Sequence, residues 1–558
     1  MPQLRLNPSN FCCTFVAVLF VSFFLSATCA FRFPRRTSAL LRHRTYAATS
    51  AFHPTSTNVH LPASTAIVGG GPTGLFTALM LARRGYQNIT VYDRLPRPDD
   101  PSSPTWGNPY RSYNLGLGAR GQIALRAADA WESIEPFCAQ AIGRKDWTPE
   151  QGERPEQIYT DREYKTQVIQ RDRIASCLLG ELERKHGNQV SVWHSVECVG
   201  LTWLDEATPG PEASPSSAEI GKKGVRLRLH RQCEGQELEQ WTTEARWVVG
   251  ADGVRSALRS ALEVKTGPGG HQGQTQKERV RTIKLPERNE FVYKILPLDL
   301  RPKYGTGPGW RPDLNYSARS KGEVTIEALP TREGIYVGVV LFRPDSSAMA
   351  KIQSKEDARE FFAGSFPQFL DVIREEDLAR FSTGPTFRLP SFSYCGPSIF
   401  YRDNTLLLGD CIHSVKPYFG LGLNSALEDV MALDKCLSES EDDVSKALPL
   451  FSSRTAPQAK ALVEFQASFD YNANTLEGFL RFVLPLILDG IFHRYFPAFF
   501  APNGIRLLQD HRSTFRQTRR RKQRDRIGQA VILGVLLTGI GKGLGWAVKV
   551  AARMLLKG

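Results

Sequence analysis

Residues 65–94 read TAIVGGGPTGLFTALMLARRGYQNITVYDR, and this stretch decides the fold class of the chain. The pattern predicts a buried strand, a glycine turn, an amphipathic helix and a second strand, which together form a βαβ unit. Gly69, Gly71 and Gly74 supply G-x-G-x-x-G between strand and helix. The first glycine allows a tight turn, the second lets the backbone approach a pyrophosphate, and the third allows close packing of the helix on the strand. The pyrophosphate would lie at the helix N-terminus, where free N–H groups favour anions.

Asp93 ends the second predicted strand. It lies about twenty residues beyond the glycine turn, where its carboxylate can accept hydrogen bonds from a ribose diol. Because strand, helix and acid occur in the required order, we predict a dinucleotide site rather than a glycine turn without a ligand. This unit alone does not separate FAD from NAD.

The basic charge of the chain is confined to its two ends. The formal net charge is +14, yet residues 1–60 carry six Arg and no acid, and residues 512–558 carry eight Arg, four Lys and one acid. The long segment between them is therefore mildly acidic, which favours targeting and membrane contact at the ends over a nucleic-acid partner. The ten cysteines include no C-x-x-C pair. We therefore predict neither a disulfide framework nor a metal site.

The N-terminus has the form of two consecutive targeting signals. Residues 1–30 contain an apolar run followed by the small residues ATCA, as in a cleaved signal peptide. Residues 31–60 are rich in Arg and Ser and lack acids, like a transit peptide. This order resembles the bipartite leaders of plastids acquired by secondary endosymbiosis and favours a plastid. A secreted protein, the endoplasmic reticulum and the mitochondrial outer membrane are the alternatives.

Two later segments point to FAD. They are WVVGADGVRSALR at residues 247–259 and TLLLGDCIHSVKPYFGLGLNSALEDV at residues 405–430. They resemble the DG and GD motifs of the class A flavoprotein monooxygenases, the para-hydroxybenzoate hydroxylase-like group. The resemblance implies an α/β fold with a Rossmann-like FAD-binding domain and an interleaved β-rich substrate domain.

The same resemblance implies contacts with FAD. Asp410 would bond the ribityl hydroxyls, and Pro417 would shape the wall beside the flavin. Backbone N–H groups at residues 420–424, opening a helix, would stabilise negative charge on the flavin ring. Arg171 matches an arginine that opens a helix against FAD, with an ordinary helix-capping arginine as the alternative. Asp252 would approach the pyrophosphate through water, near a transient NAD(P)H site. The expected cofactor-binding residues are Gly69, Gly71, Gly74, Asp93, Arg171, Asp252, Gly253, Gly409, Asp410, Pro417, Gly420, Gly422 and Asn424.

A narrower resemblance is to the kynurenine 3-monooxygenase group. It is carried by YNLGLGARGQIALRAA (113–128), FFAGSFPQFLDVI (361–373), the DG segment, PYFGLGLNSALED (417–429) and the layout of the C-terminus. It implies that Arg120 clamps a substrate carboxylate and that Asn424 lies in the substrate pocket. The alternative is that Arg120 caps its helix outside the pocket.

Three positions depart from the pattern of that group. Lys416 and Leu421 replace apolar and amide side chains beside the flavin, and Ser468 stands where a substrate-binding tyrosine is expected. The sequence therefore leaves the substrate open among carboxylate-bearing or otherwise polar aromatic compounds.

The C-terminus predicts a membrane anchor. RQTRRRKQRDR (516–526) precedes AVILGVLLTGIGKGLGWAV (530–548), which contains a single Lys. A bilayer span needs about 20 apolar residues, and each basic residue near an anionic surface adds about 1 kcal/mol of attraction. The segment is thus expected to span a membrane or to lie on one. A tail packed on the protein body and a partner-binding helix are the alternatives.

We predict an FAD-dependent monooxygenase that uses NAD(P)H and O₂ to hydroxylate a small aromatic substrate. A plastid FAD-dependent reductase of the same fold and a membrane-tethered flavoprotein without catalysis are the alternatives. The predicted segments are a signal peptide (1–30), a transit peptide (31–60), an FAD-binding domain (61–440) with an interleaved substrate domain at about 270–395, C-terminal helices (441–511), and a basic run with an apolar helix (512–558).

Overall fold

The computed structural model describes residues 64–110, 112–160, 162–204, 224–231, 238–267, 279–303, 310–321, 324–472 and 475–555. The signal and transit peptides predicted at residues 1–60 lie outside the described residues.

In chain order, the strands are β1 (Thr65–Val68), β2 (Ile89–Asp93), β3 (Asn114–Leu117), β4 (Ala139–Ala141), β5 (Gly143–Thr148), β6 (Gly152–Glu153), β7 (Gln157–Ile158), β8 (Thr166–Gln170), β9 (Val190–His194), β10 (Val196–Trp203), β11 (Val225–Arg231), β12 (Glu239–Ala245), β13 (Trp247–Gly250), β14 (Thr282–Lys284), β15 (Val292–Asp299), β16 (Leu314–Arg319), β17 (Thr325–Leu329), β18 (Ile335–Phe342), β19 (Phe387–Arg388), β20 (Ser393–Cys395), β21 (Phe400–Tyr401), β22 (Thr405–Leu407) and β23 (His413–Ser414). The α-helices are α1 (Pro72–Arg83), α2 (Ala119–Ala127), α3 (Trp131–Ile134), α4 (Arg171–His186), α5 (Ala257–Thr266), α6 (Ser347–Ala350), α7 (Lys355–Ser365), α8 (Pro367–Leu370), α9 (Glu375–Thr383), α10 (Leu421–Glu439), α11 (Val444–Ala467), α12 (Leu476–Gly478), α13 (Leu484–Tyr495), α14 (Gly504–Gln509) and α15 (Phe515–Leu555).

The predicted βαβ unit is confirmed as β1, α1 and β2. It belongs to a six-stranded sheet with the order β21-β22-β13-β1-β2-β9. Neighbouring strands are parallel, except that β21 runs antiparallel to β22 at one edge. Strands β1 and β13 are buried along their whole length, as expected for a parallel sheet covered on both faces. The carboxyl ends of the parallel strands form the edge where open α/β sheets bind ligands.

Helix α10 connects the nucleotide-binding layer to the rest of the candidate site. It packs against α1, which follows the glycine turn, and against α2, which contains Arg120. It also packs against α11, the first of the C-terminal helices. One helix therefore contacts the cofactor-binding layer, the predicted substrate-binding residue and the C-terminal region.

A β-rich layer is built on an eight-stranded sheet. Its strands β15, β18, β17 and β16 are antiparallel neighbours and lie within the range 270–395 predicted for a substrate domain. Strand β5 lies outside that range and joins in parallel to β16. Helices α7 and α9 pack their aromatic side chains into the apolar core of this layer, including Phe362 and Phe381.

The C-terminal helices pack on the chain through a separate apolar cluster. Leu421 at the start of α10 contributes to it, together with Leu462 of α11 and Phe515 of α15. In the part of the chain that the structure describes, no helix is both long and apolar enough to cross a membrane. The spanning form of the predicted anchor is therefore not supported there. Helix α15 contains the whole basic run, and Lys542 interrupts the apolar stretch that follows.

Candidate flavin and substrate site

The glycine turn after β1 is fixed by close backbone contacts. Gly69 has φ +106°, and a Cβ there would lie 2.3 Å from the carbonyl oxygen of Ala251. A Cβ at Gly74 would lie 1.8 Å from the carbonyl oxygen of Gly69. Neither position can hold a side chain, because both distances are far below a van der Waals contact. The turn thereby brings the N-terminus of α1 to the ligand-binding edge of the sheet.

Gly71 has more space around it than its two neighbours in the motif. It is the N-cap of α1 and offers no side-chain cap. The protein atom nearest to a Cβ placed there is a terminal nitrogen of Arg171, at 3.4 Å, which is an ordinary contact. The fold itself therefore does not require glycine at this position. The helix N-terminus and the guanidinium together form an open anion site that fits the pyrophosphate of FAD.

Asp93 lies at the end of β2, beside the glycine turn. One carboxylate oxygen, Oδ2, accepts a hydrogen bond from the Gly70 N–H at 2.6 Å. The other, Oδ1, accepts one from the Leu95 N–H at 2.7 Å. The carboxylate thus orders the turn, and its remaining lone pairs are available to a ribose diol.

The DG segment follows β13. Asp252 Oδ2 accepts a hydrogen bond from the Ala257 N–H at 2.7 Å, at the start of α5. The Cys411 thiol donates to Asp252 Oδ1 at 3.2 Å. The side chain of Asp252 therefore joins the DG segment to the GD segment. Gly253 follows with φ +78° and no protein atom within 4 Å of a Cβ placed there, so the backbone turns into open space.

Asp410 lies in a recess at the carboxyl end of β22. Its side chain is exposed to solvent, yet dense surrounding protein raises its pKa by desolvation, against the opposing charges of His413 and Arg171. The carboxylate is thus accessible to solvent although protein surrounds it on most sides, and we call this position the recess. The preceding Gly409 has φ +62°, and a Cβ there would lie 3.0 Å from Thr73 in the first turn of α1. The GD segment thus lies directly against the glycine-turn helix.

His413 has a buried ionic partner. Its Nε2 lies 2.7 Å from Asp429 Oδ2, and its side chain is 1% exposed. Burial opposes protonation of His413, but the charges of Asp429 and Asp410 outweigh it and raise the pKa. A charged imidazole in turn favours the ionised form of Asp410.

The loop before α10 follows the GD segment. Pro417 and Gly420 are exposed, whereas the residues that flank the loop, Lys416 and Leu421, are buried. Gly420 has φ +63° and is the N-cap of α10, whose first turn, including Gly422, contains no acid. The N–H groups of this turn form a second positive helix terminus, as expected beside the pyrimidine end of a flavin.

Both the oxygen and the nitrogen of the Asn424 side-chain amide are hydrogen-bonded within the protein. Its Oδ1 accepts hydrogen bonds from Gly118 N at 2.9 Å and Gly121 N at 3.1 Å. Its Nδ2 donates to Gly116 O at 2.7 Å and Gly420 O at 2.6 Å. The side chain, which is 3% exposed as a residue, therefore clamps the start of α2 to the start of α10.

Arg120 is engaged by the C-terminal part of the chain. Its guanidinium pairs with Glu428 at 2.5 Å and donates to the carbonyl oxygens of Asp510 at 2.7 Å and Ser513 at 2.6 Å. It also lies over the ring of Phe515, at 4.4 Å from the centroid. Its Nε is buried and has no hydrogen-bond partner among the described residues. A substrate carboxylate would therefore have to take the place of at least one of these groups.

Two residues that sequence reasoning did not select border the site. Tyr113 is 40% exposed, but burial in the recess raises its pKa, and the charges of Arg171 and Asp410 act on it. The side chain of Glu428 is also 40% exposed, and burial likewise raises its pKa although Arg120 opposes this. Glu428 could have been selected from the sequence, because it lies four residues after Asn424 and therefore on the same face of the predicted helix. Tyr113 opens the segment 113–128 used above, but no pattern within that segment singles it out.

Comparisons with known proteins agree with this geometry. Residues 64–149 match the model of the FAD dependent oxidoreductase family, and residues 398–466 match the FAD binding domain family. The kynurenine 3-monooxygenase of Saccharomyces cerevisiae is 28% identical over 443 residues, which are 77% of this chain and 85% of that protein. The enzyme of the same name from Caenorhabditis elegans is 25% identical over 450 residues, covering 79% and 88% of the two chains.

Solved structures show the same fold. A 2-methyl-3-hydroxypyridine-5-carboxylic acid oxygenase has a TM-score of 0.51 at 17% identity, covering 75% of this chain and 95% of that one. PqsL, a probable FAD-dependent monooxygenase from Pseudomonas aeruginosa, has a TM-score of 0.50 at 18% identity, covering 75% and 98%.

The family matches and the similar sequences establish the general class of the protein. It is an FAD-dependent oxidoreductase that resembles the class A flavoprotein monooxygenases, with sequence similarity to the kynurenine 3-monooxygenase group. The predictions of an enzyme, of this family resemblance and of FAD as cofactor are confirmed. NAD(P)H is the co-substrate typical of this family.

Proposed function

We propose that this protein uses NAD(P)H and O₂ to hydroxylate a small aromatic substrate that carries a carboxylate or another polar group. The observation that carries the proposal is the recess lined by the glycine turn, Arg171 and Asp410, next to a helix N-terminus that can face a flavin ring. Similarity to kynurenine 3-monooxygenases over most of the chain supports the class of substrate.

The residues of the recess have separate tasks in this proposal. When bound, FAD supplies the redox and oxygen chemistry. The N-terminus of α1 and Arg171 would bind its pyrophosphate, and Asp410 would accept hydrogen bonds from the ribityl chain. The N-terminus of α10 would stabilise negative charge on the flavin ring, as a fixed dipole in a partly dry site. The apolar cluster around Leu421 would exclude water from that side.

The substrate would lie on the side of Arg120 and Asn424. Asn424 is fully bonded within the protein, so we propose that it shapes the pocket by holding α2 against α10. Arg120 is the cation proposed to meet the substrate carboxylate, because a guanidinium binds a carboxylate with two parallel hydrogen bonds. Glu428 would then give up this partner when substrate binds.

A substrate screen tests the proposed reaction. We expect purified, FAD-loaded protein to oxidise NAD(P)H slowly alone and at least about tenfold faster with its substrate, since binding energy is used to position the reacting groups. Kynurenine, other amino-substituted aromatic acids and carboxylate-free aromatic analogues form the screen. Stimulation only by analogues without a polar group would contradict the proposed substrate class.

We also propose that the C-terminus attaches the protein to an anionic membrane surface without crossing it. Ile527, Val531 and Val535 are 67%, 60% and 65% exposed and, at a spacing of four residues, lie on one face of α15. The basic run of the same helix precedes them. Phe499, which is 75% exposed, lies before α15 in the C-terminal region. Such a face is typical of helices that lie in the membrane interface.

A pair of substitutions tests this attachment. Ile527→Glu with Val531→Glu should reduce co-sedimentation with vesicles containing phosphatidylserine by about tenfold or more, because two apolar contacts are lost and two negative charges face the lipid. Val264→Glu is the matched control, since Val264 is 81% exposed on α5. Equal binding of all three proteins, or no binding by the wild type, would refute the attachment.

The targeting signals predicted at residues 1–60 bear on where the protein is located. We propose that residues 1–60 direct the protein to a plastid. Residues 1–60 fused to a fluorescent protein should enter the plastid in an alga with a secondary plastid, and accumulation at mitochondria or secretion would contradict this.

A further inference from the structure

A buried ammonium group lies at the start of the loop that is expected to face the flavin. The side chain of Lys416 is 1% exposed. Its Nζ lies 3.0 and 3.1 Å from the two carboxylate oxygens of Asp470 and donates to the Asn289 carbonyl oxygen at 2.7 Å. The carboxylate of Glu287 is a further ionic partner. We call Lys416, Asp470, Glu287 and the Asn289 carbonyl the Lys416 cluster.

The cluster holds the loop on both sides of Pro417. Lys416 immediately precedes this proline, and Tyr418 immediately follows it. The Tyr418 hydroxyl donates to Asp470 Oδ1 at 3.0 Å, and both burial and Asp470 raise the pKa of Tyr418, which keeps it a donor. One carboxylate, 2% exposed, therefore fixes the two residues that flank the flavin wall.

Asp470 belongs to the C-terminal region of the chain. It follows α11, three residues after the helix ends at Ala467. Glu287 and Asn289 lie between β14 and β15, where the chain enters the β-rich layer. The cluster thus connects the flavin-side loop to the C-terminal helices and to the β-rich layer at a single point.

Stability alone does not account for this arrangement. A buried ion pair loses about as much free energy by desolvation as it gains by attraction, and apolar residues of similar size often stabilise a fold equally well. Apolar side chains are what the resemblance to the kynurenine enzymes leads one to expect at position 416. A buried, fully bonded polar group does fix geometry, because its partners tolerate little displacement.

We propose that Lys416 and Asp470 are positioning residues that hold the loop at residues 417–420 against the flavin and make its place depend on the C-terminal helices. The proposal deepens the function proposed for the same site. It concerns the setting of the bound cofactor and requires no particular substrate.

Two single substitutions test the pair without any substrate. Lys416→Met removes the cation and keeps the length of the side chain, and Asp470→Asn removes one negative charge at nearly constant shape. Both proteins should still bind FAD, because the glycine turn, Arg171 and Asp410 are unchanged. The collisional quenching constant of bound-flavin fluorescence by iodide should rise about threefold or more, and the visible circular dichroism of the flavin should change.

Asp489→Asn is the matched control. Asp489 is a fully buried carboxylate paired with Lys522 and Arg526, within the C-terminal helices. It has no contact with the loop at residues 417–420 among the hydrogen bonds and ion pairs of the described residues. This variant should lose thermal stability as the other two do, yet keep wild-type quenching and circular dichroism.

The double variant and a conservative variant separate positioning from loss of fold. Lys416→Met with Asp470→Asn should raise quenching no more than either single change, because coupled partners are not additive. Lys416→Arg should keep near-wild-type spectra. Wild-type quenching and circular dichroism in both Asp470→Asn and Lys416→Met would overturn the proposal. If Lys416→Met does not fold, Asp470→Asn and Lys416→Arg decide it: equal spectra in these two and the wild type would overturn it as well.

Discussion

Gly71→Val is expected to give a folded but colourless protein that gains no flavin when FAD is added. A Cβ added at this position meets no protein atom closer than 3.4 Å, and that atom is the end of the flexible Arg171 side chain, so the fold should tolerate the substitution. The valine would occupy the space over the N-terminus of α1 where a pyrophosphate must contact the backbone. We expect FAD affinity to fall by at least about a hundredfold, which corresponds to about 2.7 kcal/mol, as measured by titration of the apoprotein with FAD.

Two other glycines serve as controls for this result. Gly180 lies in α4 with no protein atom within 4 Å of an added Cβ, so Gly180→Val should remain folded and yellow. Gly69→Val should fail to fold, because an added Cβ would lie 2.3 Å from a carbonyl oxygen. A yellow Gly71→Val protein with wild-type FAD affinity would show that the pyrophosphate does not lie where we place it.

Arg120→Ala is expected to raise the KM for the substrate by about tenfold or more while FAD content stays unchanged. The physical reason is the loss of a bidentate contact with the substrate carboxylate. Initial rates of NAD(P)H oxidation at varied substrate concentration measure the change. Arg120→Lys should lie between wild type and Ala, since it keeps the charge and loses the planar fork.

Glu428→Gln separates the substrate clamp from a purely structural tie. Glu428 pairs with Arg120 in the structure, so its neutral analogue should release the guanidinium and leave KM equal or lower. The alternative is that Arg120 only holds residues 510–515 against α2. In that case Arg120→Ala and Glu428→Gln should both weaken this contact and should raise KM to a similar extent. An unchanged KM in Arg120→Ala would also exclude the clamp.

The residues that we propose bind the flavin could be selected from the sequence because their signals are local. The glycine turn, Asp93 and the DG and GD segments each combine a strand end with a turn whose backbone geometry requires particular residues. Parallel pairing then brings the strand ends to one edge of the sheet. Arg171 is found beside Gly71 for the same reason, since α4 starts where β8 ends.

The contacts of Arg120 and Lys416 could not be predicted in the same way, because they join distant parts of the chain. Arg120 meets Asp510 and Ser513, and Lys416 meets Asp470. These pairings depend on how the C-terminal helices pack, for which periodicity gives no register. Among the described residues no helix is long and apolar enough to cross a membrane; the apolar stretch predicted as an anchor continues the basic helix α15 and contains Lys542.

Incorporation of labelled oxygen tests the central claim most directly. The FAD-loaded protein is supplied with NAD(P)H, isotopically labelled O₂ and the ring substrate that most stimulates NAD(P)H oxidation, and the product is analysed by mass spectrometry. A monooxygenase is expected to place one labelled oxygen atom in each product molecule, in step with NAD(P)H consumed. A reduced product without label, or NAD(P)H oxidation that yields only hydrogen peroxide for every substrate in the screen, would contradict the account.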